Sequence, residues 1–333
     1  MKKNTIKDIV LSAATIDKIL YGDYKYRSNI IQIMFITIKS LLPSLNKEGV
    51  IVDYKRYEKE LELLKYYIKG RDETIENYFH FKNIRYWNAE DKTSKGRIIP
   101  IVVANTNFNI IKDEIIKNTL YFTGKIPVLL ENIILSKILY LIIENESIEK
   151  NKLINELKED IITLSQKEFK ENYIDYYKDS IDNYDGNYKL DFERYKIELI
   201  NLLNGIESNE YFILKKSINI IFGDNLNIKE DIDDILLLSI LGVYNDDISK
   251  LQYKDKEYIE RLADYLIKIR KGRIDPEVLK VNLSNIPDVF NYNEGDVFNH
   301  PLLSKSKILK KIKEDNRTYI LLKTKSGKYV FKK

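Results

Sequence analysis

The sequence predicts an all-α protein, a multi-helix bundle with a small C-terminal module of one helix and a β-hairpin. Three observations carry that expectation. Apolar residues recur at helical spacing through most of the 333 residues. Gly and Pro number only 12 and 6, so few positions interrupt a helix. Alternation with a period of two is scarce before residue 315. At 44 % hydrophobic and 32 % charged residues, the chain can bury a core and is not disordered as a whole.

Helices are expected near 5–20, 29–42, 54–69, 107–122, 127–145, 149–168, 188–204, 209–222, 230–244 and 255–271. The 54–69 segment mixes charged and apolar residues as a surface helix does, whereas 127–145 and 235–244 are apolar nearly all round and belong at the centre. Between Asn172 and Lys189, Tyr173, Tyr176, Tyr177, Tyr184 and Tyr188 stand among polar residues; this reads as an irregular connection with surface tyrosines, or as a partner-binding loop. Residues 303–313 read as a short basic helix, and Arg317 to Lys332 as a hairpin turning at Lys325-Ser326-Gly327. Two units follow, a helical domain over 1–280 and a basic module over 281–333. Residues 301–333 hold eleven Lys and Arg against two Asp and Glu, on a chain whose net charge is only +4. The tail is therefore suited to meet nucleic acid, an acidic partner or the acidic body itself, although lysines on a hairpin also guard against edge-to-edge aggregation.

Several kinds of chemistry are excluded or disfavoured. Without cysteine there is no disulfide, thiolate nucleophile or Cys-containing zinc site. The two histidines, His80 and His300, are too far apart in sequence to form a motif, so carboxylates would have to carry any acid–base or metal chemistry. The apolar run from Ile9 to Ile16 is short and flanked by Asp8 and Asp17, unlike a signal peptide. The run Val128 to Ile143 carries Glu131, Asn132 and Lys137 and reads as too short and too charged for a membrane span. A soluble cytoplasmic protein with no membrane partner is the expectation.

The densest chemistry lies at Asp231-Ile232-Asp233-Asp234, directly before the apolar run Ile235 to Leu241. Like charges so close beside apolar surroundings are costly in ionised form. Either they cap the helix and face water, or a cation holds them together.

The order of features around this cluster resembles the ADP-ribosylglycohydrolase family over roughly residues 5–250. Asp231-Ile232-Asp233-Asp234 is similar to the family's late Asp-x-Asp-Thr motif, Gly96-Arg97-Ile98-Ile99-Pro100 to its Met-Arg-x-x-Pro segment, and Thr123-Gly124-Lys125-Ile126-Pro127 to its Thr-His-x-x-Pro segment. Val10 to Asp17 is similar to its first helix. The resemblance implies an orthogonal multi-helix bundle and, in active members, two Mg²⁺ ions between the late motif and an early Thr-Asp-Asp-Thr motif. Here the early positions are Ser28-Asn29-Ile30-Ile31, and the short loop 21–27 contains no Glu. The family's His is Gly124, and the two glycines before the late aspartates are Lys229 and Glu230. The resemblance thus leaves Asp231, Asp233 and Asp234 as residual metal ligands, Ser28 and Asn29 as degraded motif positions, and Asp17 and Arg97 as cleft residues. It implies no cofactor or a single Mg²⁺, with Lys95, Arg97 or Lys229 as cations that replace metal. Three readings remain: a non-catalytic binding or regulatory protein with a protein partner or an ADP-ribose-like ligand; an active glycohydrolase using one Mg²⁺ and an acid from Asp17, Asp23 or Glu90; or an unrelated helical interaction or nucleic-acid-binding protein.

Overall fold

A computed structural model describes residues 3–22, 27–44, 48–80, 85–145, 147–223, 232–253 and 255–333. The expected N-terminal helix is two, α1 (Lys3–Ala13) and α2 (Ile16–Tyr21). Helix α3 (Asn29–Lys39) ends before a short hairpin of β1 (Leu41–Pro43) and β2 (Val50–Val52), whose strands are too short to leave a periodic signature. Helix α4 (Tyr54–Leu64) follows, capped by the Asp53 carboxylate on the N–H groups of Lys55 and Arg56. Next are α5 (Glu73–His80) and α6 (Ser94–Ala104), neither of them among the expected helices.

The middle of the chain agrees with the periodicity in α7 (Phe108–Leu120), α8 (Ile126–Glu144), α11 (Tyr188–Leu203) and α12 (Phe212–Phe222), whereas the single helix expected over 149–168 is two, α9 (Lys150–Thr163) and α10 (Gln166–Asn172). Helices α13 (Ile235–Tyr244), α14 (Asp246–Lys250) and α15 (Lys256–Arg270) complete the helical body. Every residue of α6 is buried, and it packs on α1, α3, α7, α8, α13 and α15. Its sequence has no polar face because it has no solvent face. Gly96 permits the close crossing with α3, since a Cβ there would stand 3.1 Å from the Ile30 carbonyl oxygen. Gly242 does the same where α13 crosses α1: a Cβ would lie 2.4 Å from the Ser12 Cβ.

Helix α8 is, among the described residues, the one helix long and apolar enough to cross a membrane, and 89 % of its most apolar window is buried inside the protein. Pro127 starts it, in the first turn, where a missing N–H costs nothing.

The tyrosine-rich connection is packed inward rather than displayed. Tyr173, Tyr177 and Tyr188 are buried and Tyr176 and Tyr184 partly so. Tyr177, Tyr184 and Tyr188 surround Trp87 with ring centroids 5.5, 5.4 and 5.9 Å away. The Tyr177 and Tyr188 hydroxyls satisfy each other at 2.9 Å.

The C-terminal segment corrects the sequence reading. Residues 303–313 form no helix: β3 (Val297–His300), β4 (Ser304–Glu314), β5 (Arg317–Thr324) and β6 (Gly327–Lys332) make a four-stranded antiparallel meander. The expected hairpin is its second half, with Thr324 opposite Gly327. A spacing of four, as between Ile308 and Ile312, suits a helix face; the bulge between Ile308 and Lys310 instead puts them on opposite faces of the strand, opposite Leu322 and Tyr319, and hides the strand period. His300 helps the turn into β4, its Nδ1 accepting from the Leu302 and Leu303 N–H groups. Burial holds its pKa down to about 4.

The sheet rests on the helical body. The Lys332 N–H donates to the Tyr66 carbonyl at 2.8 Å, and Tyr67 packs on Tyr329 and Phe331, each with centroids 5.1 Å apart. Arg27 joins the two parts: it donates to Asp255 and to the Ser326 carbonyl, both at 2.7 Å, and lies over the Phe35 ring at 4.9 Å.

Candidate functional site

A cleft of about 540 Å³ opens where the first turns of α3, α6, α8, α12 and α13 converge. Ile30, Lys95, Glu131, Asp233 and Asp234 line it together with Glu90, Asp91 and Lys125. Thus the segments that the resemblance pairs, the early motif and the late motif, do meet at one cleft.

The late carboxylates do different things there. Asp231 lies outside the described residues, as do Lys229 and Asp23. Asp234 is the N-cap of α13, its Oδ1 accepting from Leu236 N–H at 2.7 Å and Leu237 N–H at 3.4 Å. Burial raises its pKa to about 6, against the opposing pull of Lys95 and those two N–H groups. Asp233 points outward, its side chain 74 % exposed, with Lys216 at 3.9 Å.

Lys95 occupies the interior of the cleft. Its Nζ lies 2.7 Å from Glu131 Oε2 and 3.1 Å from Asn132 Oδ1. Burial works against its charge, but Glu131 and Asp234 outweigh that and leave its pKa above the ordinary value. The other Glu131 oxygen accepts from the Leu214 N–H in the first turn of α12 at 3.2 Å. One ammonium therefore serves two carboxylates delivered by separate helices.

The early positions are structural. Ser28 caps α3 through the Ile31 N–H and donates its own N–H to Asp17 Oδ2 at 2.9 Å. Asn29 Oδ1 accepts from the Ile30 N–H at 2.9 Å. Ile30 turns an aliphatic wall to the cleft where the family resemblance implies a ligating carboxylate.

Neither expected cleft residue lines the cleft. Asp17 is fully buried, and burial raises its carboxyl, against hydrogen bonds from Ser28 and the charge of Arg27. Arg97 is 1 % exposed and clamps the floor. Its Nη1 donates to Asp91 Oδ1 at 3.0 Å and to Thr93 Oγ1 at 2.7 Å, and its Nε to Asn118 Oδ1 at 2.6 Å. Nη2 completes a bidentate pair with Asp91 Oδ2, and the guanidinium lies over Phe122 at 4.1 Å. Its work is to fix the segment that carries Asp91 to the cleft edge. Glu90 is paired with Lys125.

Gly124, where the family places His, has no room for a side chain: a Cβ would meet the Trp87 ring at 2.5 Å. The indole fills that volume.

Sequence reasoning passed over Glu131, although the signal was present. A Glu and an Asn side by side in an otherwise apolar helix need partners if that helix is buried, and Lys95 supplies one to each. Among the described residues, no group of three or more His, Asp or Glu side chains is arranged to hold a metal ion.

No protein-family model matches the chain, and no curated protein matches it either.

Proposed function

We propose that the chain is a non-catalytic binding protein whose cleft derives from a binuclear metal site of the ADP-ribosylglycohydrolase type, and that it acts in the cytoplasm by holding a ligand or a protein partner there. The observation that carries this reading is the position of Lys95: its ammonium is paired with Glu131 and feels the charge of Asp234 at the cleft interior. A divalent cation would have to displace that charge. Mg²⁺ asks for near-octahedral oxygen ligation. The described donors fit it poorly, because Ile30 supplies no oxygen, Asp234 Oδ1 is engaged by two N–H groups, and Asp233 faces solvent. The missing loop glutamate and the Trp87 ring at Gly124 support the loss of hydrolysis as well.

Two measurements test the proposal together. Thermal melts are expected to be unchanged by millimolar Mg²⁺ and shifted upward by ADP-ribose, and turnover on ADP-ribosylated protein is expected to be absent. A Mg²⁺-dependent shift together with ADP-ribose release that is lost in Asp233→Ala would replace this reading with that of an active hydrolase.

A further inference from the structure

A second recess, of about 660 Å³, lies at the seam between the helical body and the β5–β6 turn and shares no residue with the cleft described above. Its volume falls within the usual range for small-molecule sites, about 300–1,000 Å³. Seven Lys and Arg line it against two carboxylates. One of those carboxylates, Asp255, is neutralised by Arg27 at 2.7 Å. Arg261, Lys323, Lys325 and Lys328 border the recess and have neither an ion pair nor a side-chain hydrogen bond among the described residues. Tyr67, Tyr253, Tyr258 and Tyr329 also line it.

Four uncompensated cations drawn from different elements repel one another and cost stability unless an anion joins them. Lysines on β6 have an ordinary explanation as guards of a sheet edge. That explanation does not reach Arg261, which projects from α15 into the same recess. Nor do the cations form a track for a strand of nucleic acid: Lys305, Lys307, Lys310 and Lys313 lie on β4, and β5 separates that strand from β6. A recess with a charged rim and tyrosine walls suits a compact ligand with several negative charges at one end and a planar ring at the other.

We propose that this recess is a nucleotide site, in which Arg261, Lys325 and Lys328 hold a di- or triphosphate and the tyrosine wall receives the base.

Isothermal titration of the full chain with ADP and with pyrophosphate, in 50 and 300 mM salt, tests it. ADP is expected to bind saturably with one site per chain, more tightly than pyrophosphate and several-fold more weakly at the higher salt. Arg261→Glu, and separately the pair Lys325→Glu and Lys328→Glu, are each expected to weaken ADP at least tenfold. All three residues are exposed and the changes relieve their mutual repulsion, so the ligand-free thermal midpoint should not fall and the Trp87 emission should stay as in the parent. ADP binding unaffected by these changes, absence of ADP binding, or pyrophosphate binding as tightly as ADP would each overturn the proposal. A single-stranded oligonucleotide that displaces ADP with an affinity rising with its length would overturn it in favour of a nucleic-acid surface.

Discussion

Replacing Lys95 by Met keeps most of the side chain's volume and removes its charge. The ammonium lies 2.7 Å from Glu131 Oε2, and the two side chains are 8 and 9 % exposed. At that separation the gross attraction is about 6 kcal/mol at an effective dielectric of about 20. Most of it offsets the cost of removing both charges from water, so the pair by itself adds little. Removing one partner is different, because Glu131 then stays buried without a cation while Asp234 loses its nearest counter-charge. That class of change costs about 3–5 kcal/mol, or on the order of 10 °C in the midpoint for a domain of this size. The deficit should depend on pH in a definite direction. The folded-state pKa of Asp234 is about 6 against an ordinary 3.8, so the fold favours its protonated form. Stability from this group is therefore present in full below about 3.8 and lost as pH rises through 6. Without Lys95 the Asp234 carboxyl moves further up, so the variant's deficit should be largest at pH 7–8 and shrink by pH 5. Urea denaturation followed by Trp87 emission measures this directly, since the chain has one Trp. A variant within 0.5 kcal/mol of the parent at pH 7.5, or a deficit that grows on acidification, would refute the account of Lys95 as the cation that holds the cleft together.

Other outcomes follow from the same structure. Arg97→Met should cost about 3–5 kcal/mol in urea denaturation, and Arg97→Lys should recover less than half of it, because an ammonium cannot replace the bidentate contact with Asp91. Gly124→Ala should cost about 3 kcal/mol and shift Trp87 emission, since the added Cβ meets the indole at 2.5 Å; an unperturbed spectrum would contradict the packing. Tyr177→Phe should cost about 1–2 kcal/mol by orphaning the buried Tyr188 hydroxyl. The double change of Tyr177 and Tyr188 to Phe should then cost less than the sum of the single changes, because both partners leave together.

Periodicity and capping chemistry determined much of this protein without reference to tertiary structure. The apolar surface of α8 and α13 marks the two central helices, the carboxylates of Asp231 to Asp234 mark a helix start, expected at 230 and found at Ile235, and the alternation after Arg317 marks the terminal hairpin. These are local signals, set by which backbone conformation suits a run of side chains. Other features arise only when distant segments meet. Helix α6 was missed because Gly96 and Pro100 weaken its local propensity, and packing by six neighbouring helices makes it stable. Strand β4 reads locally as a helix because a bulge obscures its alternation, and pairing with β3 and β5 enforces the strand. The resemblance places Arg97 and Asp17 at the cleft, yet burial commits them to Asp91 and Ser28 instead. The role of Lys95 depended most on tertiary structure. Charge is legible in a sequence, but whether a charge is free, paired or enclosed depends on which segments the fold brings near it, and here Glu131 arrives as a direct partner and Asp234 as a nearby charge from helices 36 residues or more along the chain.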